Sequence, residues 1–363
     1  GFDLRLVGGV VRDLVKGHAP KDIDLCTDAD PDEQIQIYKK HNHAHYLTGF
    51  EHGTITVVLN NVTYEITSLR LDVATDGRRA TVAYTKDWME DLKRRDLTFN
   101  AMSLTFDGEL IDPFDGRHDL KNGLINFVGN PYERIREDYL RILRWYRFAG
   151  RYSNNIPEDT PANLAIIMEK HGLNIISRER VWMEIKSILK HDSAALVLNA
   201  MIYDNVAQHI DMSGMKRYSS TLLNESMRFT KSPEILLYAY SGWDTRFIRE
   251  ISDKWKWSNA EKVHFEWISK NLYMNRDLRY LIAIENAPRK WVAELAAIEE
   301  RDAWEQTALV HWVFDPFPVN GNDLIERGCK PGPQMGKLLH NLKEQWADSG
   351  YVATKQELLG AIK

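Results

Sequence analysis

The change from strand patterning to helical patterning near Asp115-Gly116 is the feature that most limits the folds open to this chain. Short apolar runs with a period of two, separated by turn residues, fill about the first 120 residues. Beyond residue 131 apolar residues recur with the period of a helix, and strand signals almost vanish. The expected fold is therefore α+β, a mixed-sheet head followed by an all-helical remainder.

A chain of 363 residues is too long for one compact core, so several structural units are expected. The patterning predicts a catalytic head over 1–122, a helical neck over 123–190, a helical body over 191–290 and a helical tail over 291–363. No apolar run approaches the ~20 residues that span a bilayer, and no secretory signal is present. Because the chain opens at Gly1, we expect its start to be trimmed.

Charge and cysteine content add two further expectations. The formal net charge is −5, which argues mildly against a surface that coats nucleic acid throughout. Arginines are nevertheless concentrated between Arg134 and Arg151, a candidate contact for RNA or nucleotide phosphates. Cys26 and Cys329 match no metal-ligand spacing, which predicts free thiols in a reducing compartment.

Local signals in the head predict five regular elements. These are strands at Leu4–Val7, Thr54–Leu59 and Val62–Thr67 and helices at Val10–Lys16 and Pro31–Lys40. Asn60-Asn61 between two of the strands is a hairpin signature. The segment from Leu71 to Tyr84 contains Asp76-Gly77 and few apolar residues, and it is predicted to be a flexible loop.

The motif Asp22-Ile23-Asp24 is the candidate catalytic centre. In a strand, the residues at i and i+2 share one face, so both carboxylates can converge while Ile23 points into the core. Paired carboxylates suit the two divalent cations that assist phosphoryl transfer. Asp-x-Asp alone is common in turns and on surfaces, so the motif needs its context.

That context is a glycine turn and a neighbouring strand. Gly8-Gly9 lies between a strand and a helix, where backbone N–H groups can meet phosphate, and Arg12 can add a bidentate contact. Glu65 is a weaker candidate for a third metal ligand, because a strand beside the aspartate pair could bring it within reach. An exposed strand glutamate is an equally good interpretation.

Five ordered motifs between residues 4 and 184 resemble those of class II CCA-adding enzymes and bacterial poly(A) polymerases. They are Gly8–Asp13 with Lys21–Asp24, Arg94–Ala101, Asp112–Phe114 with Gly116 and Asp119-Leu120, Glu137–Arg141, and Ser177 with Glu179-Arg180 and Glu184. Phe317–Gly321 and Pro331–Pro333 extend the resemblance to the C-terminal part. The length and the Ser349–Tyr351 stretch are most similar to the animal mitochondrial form.

The resemblance implies a nucleotide site that binds two Mg²⁺ ions and takes ATP and CTP as substrates. It assigns the ribose to Arg95 and Asp96 and adds Asn100 and Arg144 to the nucleotide-binding residues. A full loop at the position of Arg70, Asp72, Asp76 and Arg78 accompanies addition of the terminal A in the family. Ser177, as a helix N-cap, and Arg180 with Glu184 are expected to brace the neighbouring helix without taking part in chemistry.

Asp138 and Arg141, with Glu137 beside them, resemble the family's fourth motif, whose side chains take the place of a template base. At i and i+3 of one helix they would be neighbours, away from an apolar stripe of Tyr139, Ile142, Leu143 and Tyr146. A carboxylate accepts from the exocyclic amine of cytosine or adenine, and a guanidinium donates to the ring nitrogen. Uracil and guanine would leave both groups unpaired, at a cost of ~1–3 kcal/mol each. An intrahelical ion pair is the alternative role.

The resulting functional prediction is CCA addition to tRNA, with the helical part holding the tRNA by shape and phosphate contacts. A poly(A) polymerase, a CC-only or A-only adding enzyme, and a non-catalytic RNA-binding relative are the alternatives. His118-Asp119 and His191-Asp192 lack the further ligands that a metal hydrolase would need. A monomer or homodimer without membrane contact is expected, in mitochondria, nucleus or cytosol if eukaryotic and in the cytoplasm otherwise.

Overall fold

A computed structural model of the chain describes residues 1–20, 22–75, 80–215, 218–274, 277–300 and 309–362. The chain forms two compact units. The first comprises 1–220 together with 246–257, and the second comprises 221–245 together with 258–363. The further division into neck, body and tail stays a prediction.

A mixed sheet dominates the start of the first unit, as predicted. Its strands are β1 (Leu4–Val7), β2 (Asp24–Thr27), β3 (Ala44–Gly49), β4 (Thr54–Leu59), β5 (Val62–Ser68), β8 (Ser103–Leu104) and β9 (Leu110–Ile111). They run in the order β3-β4-β5-β2-β1-β8-β9. The β2/β5 pair is parallel and the other neighbours are antiparallel. The α+β prediction is therefore confirmed.

The β4/β5 hairpin follows from its turn residues. Asn60 and Asn61 have φ values of 51° and 63°, the left-handed conformation that a two-residue hairpin turn requires and that asparagine tolerates. The register pairs Leu59 with Val62 and Thr56 with Glu65. On the inner face, Ile55, Val57 and Ile66 pack with Leu25 from β2.

The segment predicted to be a flexible loop is instead a two-stranded sheet, β6 (Arg70–Thr75) with β7 (Ala80–Tyr84). Its register runs from Arg70 opposite Tyr84 to Thr75 opposite Ala80, with an irregularity after Asp72. The loop prediction was wrong because the β-branched residues of both arms favour strands. Asp76 and Arg78 lie outside the described residues.

Helices complete the first unit. They are α1 (Gly9–Val15), α2 (Pro31–Lys40), α3 (Trp88–Lys93), α4 (Gly116–Asn122), α5 (Pro131–Glu137), α6 (Leu140–Tyr152), α7 (Pro161–Glu169), α8 (Arg178–Leu189), α9 (Ala194–Tyr203) and α12 (Thr245–Lys254). The α2 bounds match the prediction, and a capping box between Asp30 and Glu33 fixes its start. In α6, Ile142, Leu143 and Tyr146 are fully buried, as their spacing predicts.

The second unit is helical. Its elements are α10 (Ser220–Ser226), which begins at the unit boundary, α11 (Pro233–Tyr240), α13 (Asn259–Asn271), α14 (Leu278–Ala283), α15 (Arg289–Ile298), α16 (Gly321–Glu326), α17 (Pro333–Asp348) and α18 (Lys355–Gly360). Trp346 and Tyr351 anchor one of its cores together with Leu324 and Leu342. Within the described ranges, no helix is long and apolar enough to cross a membrane.

Candidate active site

A cavity of about 610 Å³ in the first unit gathers most of the predicted site residues. Its walls come from the β1–α1 turn, β2, the segment after α3, and the α5–α6 region. The lining residues are Gly8, Gly9, Arg12, Asp24, Arg70, Arg94, Arg95, Asp96, Asn100, Asp138, Leu140, Arg141, Arg144, Arg147, Phe148 and Arg180. Eight arginines against three aspartates make the cavity strongly cationic, as a polyphosphate site would be.

The residues around the Gly8-Gly9 turn limit the space for a side chain there. Gly8 has φ +66°, and a Cβ there would lie 2.9 Å from Nη1 of Arg95. A Cβ on Gly9 would meet only ordinary contacts, 3.5 Å from Nη2 of Arg12 and 4.0 Å from a carboxylate oxygen of Asp24. Gly8 is therefore required both by its backbone conformation and by the arginine next to it.

The two candidate catalytic aspartates do not share a strand as predicted. Strand β2 begins only at Asp24, where pairing with Glu65 starts, so Asp22 precedes the sheet. Ile23 was predicted to enter the core, but it is 52% exposed because no sheet neighbour covers this stretch. Desolvation raises the pKa of Asp24, the nearby Asp22 carboxylate adds to the rise, and Arg95 and Arg12 oppose it.

The oxygen donors of this pair suit Mg²⁺, a hard cation that takes one or two protein carboxylates. Glu65 lies opposite Asp24 in the parallel register, on the adjacent strand. However, across the part of the chain that the structure describes, no three His, Cys, Asp or Glu side chains are grouped to hold a metal ion. A metal role for Glu65 stays a prediction.

Arg12 is held in place by its own neighbours. Its Nε and Nη2 donate to Asp13 at 3.0 and 2.9 Å, and its Nη1 donates to Oδ1 of Asn100 at 2.8 Å. Only 7% of the residue is exposed. The predicted bidentate contact with a triphosphate would thus require exchange of these partners.

Asp96 links the head to α6. Its Oδ2 accepts from Arg144 at 2.6 Å, and its Oδ1 accepts from the Leu97 amide at 2.8 Å and from Asn100 at 3.0 Å. Burial alone would raise the pKa of Asp96, but Arg144 and these hydrogen bonds lower it to about 2. The predicted nucleotide-binding residues Asp96, Asn100 and Arg144 therefore form one hydrogen-bonded group, in which Asp96 and Arg144 are charged.

Asp138 and Arg141 both line the cavity, but the predicted pair on one helix face is wrong. Asp138 has an extended backbone (φ −154°) and separates α5 from α6, because its Oδ1 accepts from the Leu140 amide at 3.1 Å. Its Oδ2 accepts from Arg180 at 2.7 Å, whereas Arg141 pairs with Glu137 at 2.7 Å. Glu137 is not among the lining residues.

Helix α8 contacts α6 and the α5–α6 junction through charged side chains, consistent with the predicted bracing. Arg180 reaches Asp138, and Glu184 lies 2.7 Å from Nε of Arg147 and 3.8 Å from Nη1 of Arg144. Ser177 occupies the N-cap position of α8, although its side chain accepts no capping hydrogen bond. Arg180 nevertheless lines the cavity itself.

Of the predicted loop residues, Arg70 alone is described as part of the cavity wall. Its Nη1 donates to the His52 carbonyl at 2.5 Å. The backbone of Asp72 lies in β6 opposite Val82. Asp76 and Arg78 belong to the residues that the structure does not describe.

Sequence patterns missed Asp91, and they named Arg134 only as part of an arginine-rich stretch and not for the contacts that it makes. Asp91 is fully buried and pairs with Arg94 and Arg95. Arg134 donates to the backbone carbonyls of both arginines and to Glu137. Asp91 lies three and four residues before these arginines, and this spacing on a helical turn was the signal available.

Comparisons with known proteins agree with the geometry. The family model "Poly A polymerase head domain" matches residues 4–126. The human "CCA tRNA nucleotidyltransferase 1, mitochondrial" is 36% identical over 99% of this chain and 86% of its own, and a CCA-adding enzyme of Streptococcus suis is 31% identical over 100% and 93%. The crystal structure of the Bacillus stearothermophilus CCA-adding enzyme in complex with CTP has a TM-score of 0.78 at 25% identity, covering 96% of this chain and 90% of that one.

These similarities extend over nearly the whole chain, and they include the head that carries the aspartate pair. The chain therefore belongs to the family of CCA-adding tRNA nucleotidyltransferases.

Proposed function

We propose that this enzyme adds CCA to the 3′ end of tRNA from CTP and ATP, releases pyrophosphate and uses no nucleic-acid template. The observation that carries the proposal is one cavity with Asp24 on one wall and Asp138 with Arg141 on another, lined by eight arginines. Such a cavity can accept a nucleoside triphosphate, with its reacting end and its base toward different walls.

Each group has a distinct task in the proposed reaction. Asp22 and Asp24 would hold Mg²⁺. The metal would neutralise negative charge on the attacking hydroxyl and on the leaving pyrophosphate. The arginines of the cavity bind the triphosphate oxygens, with the Gly9 amide as a further donor, while the Gly8 amide donates to the Met102 carbonyl at 3.2 Å. Arg95 and Asp96 face the ribose, and Arg144 holds Asp96 ionised.

Base selection falls to Asp138 and Arg141. Arg180 holds one carboxylate oxygen of Asp138, and Glu137 holds the guanidinium of Arg141, so neither side chain has to be ordered by the nucleotide. A carboxylate acceptor and a guanidinium donor match cytosine and adenine and leave unpaired groups against uracil and guanine.

We infer tRNA binding and the cellular compartment of this enzyme from its relatives. A Thermotoga maritima CCA-adding enzyme has been solved with a tRNA, and that structure shares the fold of this chain with a TM-score of 0.63. We extend tRNA binding to this chain. The human relative is named as mitochondrial, and we propose the same compartment here.

Stepwise incorporation on a tRNA transcript that lacks its CCA end tests the proposal. CTP alone should add two C residues, and CTP with ATP should add a single A after them and then stop. A long tail from ATP alone would instead indicate a poly(A) polymerase, and a halt after CC would indicate a partial adding enzyme.

Asp22→Ala provides the catalytic control for the same assay. Incorporation should fall by about a thousandfold or more, since the charge neutralisation it supports is worth several kcal/mol. Circular dichroism and melting temperature should stay at wild-type values, because Asp22 is exposed and precedes β2. Normal turnover by Asp22→Ala would overturn the assignment.

A further inference from the structure

Asp91 is a buried carboxylate that lies behind the nucleotide cavity without lining it. It is 0% exposed, on helix α3. Its Oδ1 accepts from Arg94 at 2.9 Å (Nε) and 2.7 Å (Nη2), and its Oδ2 accepts from Arg95 at 3.4 Å (Nε) and 3.1 Å (Nη2). Oδ1 also accepts from the Arg70 amide at 3.3 Å.

All three residues held by Asp91 line the cavity, although Asp91 does not. Arg94 and Arg95 are the first residues after α3, and Arg70 begins the β6–β7 sheet. One buried anion thus joins two separate wall segments. Charged hydrogen bonds of this kind are about twice as strong as neutral ones and fix the direction of a guanidinium.

We propose that Asp91 is a positioning residue, which orients Arg95 for the nucleotide and joins it to the base of the β6–β7 sheet. This inference rests on the proposed function, because it needs a nucleotide in the cavity. Arg134 complements Asp91 by donating to the carbonyls of Arg94 and Arg95. The side chain of Arg95 and its backbone are therefore held by different elements.

The surroundings keep Asp91 charged. Burial alone would raise the pKa of Asp91, but the guanidinium groups of Arg95 and Arg94 and their hydrogen bonds lower it below its usual range. Replacing the carboxylate with an amide would leave a buried arginine without its counter-charge. The guanidinium of Arg95 would then no longer be held in its present orientation, and the affinity for the nucleotide would fall.

Calorimetric titration of CTP into the full chain tests the positioning role without depending on catalysis. Asp91→Asn should raise the Kd for CTP about tenfold, the loss of roughly one charged hydrogen bond. Glu90→Gln removes the same charge from the adjacent position of α3, which does not line the cavity, and should leave the Kd within about twofold. An unchanged Kd for Asp91→Asn, with only a lower melting temperature, would overturn the proposal.

A double-variant comparison keeps the test decisive if Asp91→Asn folds poorly. Because Asp91 acts through Arg95, Arg95→Met and Arg95→Met with Asp91→Asn should bind CTP with the same Kd within about threefold. A further tenfold loss in the double variant would show that Asp91 acts through Arg94 or Arg70 instead and would overturn the positioning of Arg95. If wild-type protein fails to bind CTP at all, the proposed function fails rather than the role of Asp91.

Discussion

At the residue scale, the cationic cavity is built from arginines that are paired before any nucleotide arrives. Asp13 holds Arg12, Asp96 holds Arg144, and Glu137 holds Arg141. Such pairing fixes where the positive groups lie before the nucleotide binds, although Arg12 would have to exchange its partners to contact a triphosphate. The excess of arginines over aspartates in the lining makes the pocket cationic although the chain has a net charge of −5.

Arg141→Ala should relax base choice more than it slows addition of the correct nucleotide. Losing the guanidinium removes the donor that separates cytosine from uracil, so discrimination against UTP should fall by about tenfold or more. Competition between CTP and UTP on a tRNA acceptor measures this ratio. Arg136→Ala, with a side chain that is 62% exposed and paired to Glu169, is the matched control. Unchanged discrimination in Arg141→Ala would contradict the template role.

Residue types and spacing could identify the candidate groups but not their partners. The cavity gathers Gly8, Arg12, Asp24, Arg95 and Asp138, all named from motifs. The partner of Asp138 could not be predicted, because Arg180 comes 42 residues later and meets it only after α8 packs on α6. Likewise, the exposure of Ile23 depends on where the parallel pairing of β2 with β5 begins.

At the scale of elements, short-range turn chemistry was predictable and helix breaks were not. Asn60-Asn61 defined the β4/β5 hairpin because two asparagines accept positive φ. The break between α5 and α6 was missed, since the helical apolar period continues through Asp138 and only its side-chain cap on Leu140 interrupts it. The β6–β7 sheet was missed because the polar run from Thr75 to Arg79 was given more weight than the β-branched residues on both sides of it.

Gly8→Ala should disable nucleotide binding through the β1–α1 turn. The new Cβ would lie 2.9 Å from Nη1 of Arg95, and a backbone with φ +66° and ψ −123° is strained for any residue other than glycine. Gly17→Ala is the matched control, with φ +76° and no described atom within 4 Å of the new Cβ. We expect both variants to melt below the wild-type protein and a CTP Kd raised tenfold or so only for Gly8→Ala. Equal affinities would refute the contact with Arg95.

The second unit contains a buried charged triad that should make its stability depend on pH. His264 on α13 lies between Glu234 of α11 and Glu294 of α15, with Nδ1 and Nε2 at 2.8 and 3.0 Å from their oxygens. Burial alone would lower the pKa of His264, but the two glutamates raise it to about 9.

Because the folded pKa exceeds the unfolded value of 6.5, the stabilisation is complete below pH 6.5 and is lost as pH rises through about 9. The loss is on the order of 3 kcal/mol. Melting temperature between pH 6 and pH 10 should fall more in wild-type protein than in His264→Gln. A parallel fall in both would contradict a charged His264.

At the scale of the whole molecule, the switch from strand to helix patterning predicted the architecture. The mixed sheet ends at β9 and helices make up the regular structure described beyond it. The two compact units could not be predicted from the sequence. Residues 221–245 belong to the second unit, but residues 246–257, most of them in α12, belong to the first. Such a return depends on packing between residues far apart in sequence, which local periodicity does not record.

A crystal structure of the enzyme with CTP and Mg²⁺ tests the central claim most directly. The account predicts the metal on the carboxylates of Asp22 and Asp24, the triphosphate among the arginines beside Gly8, and the cytosine edge against Asp138 and Arg141. CTP bound elsewhere, or in this cavity with its base away from Asp138 and Arg141, would contradict it.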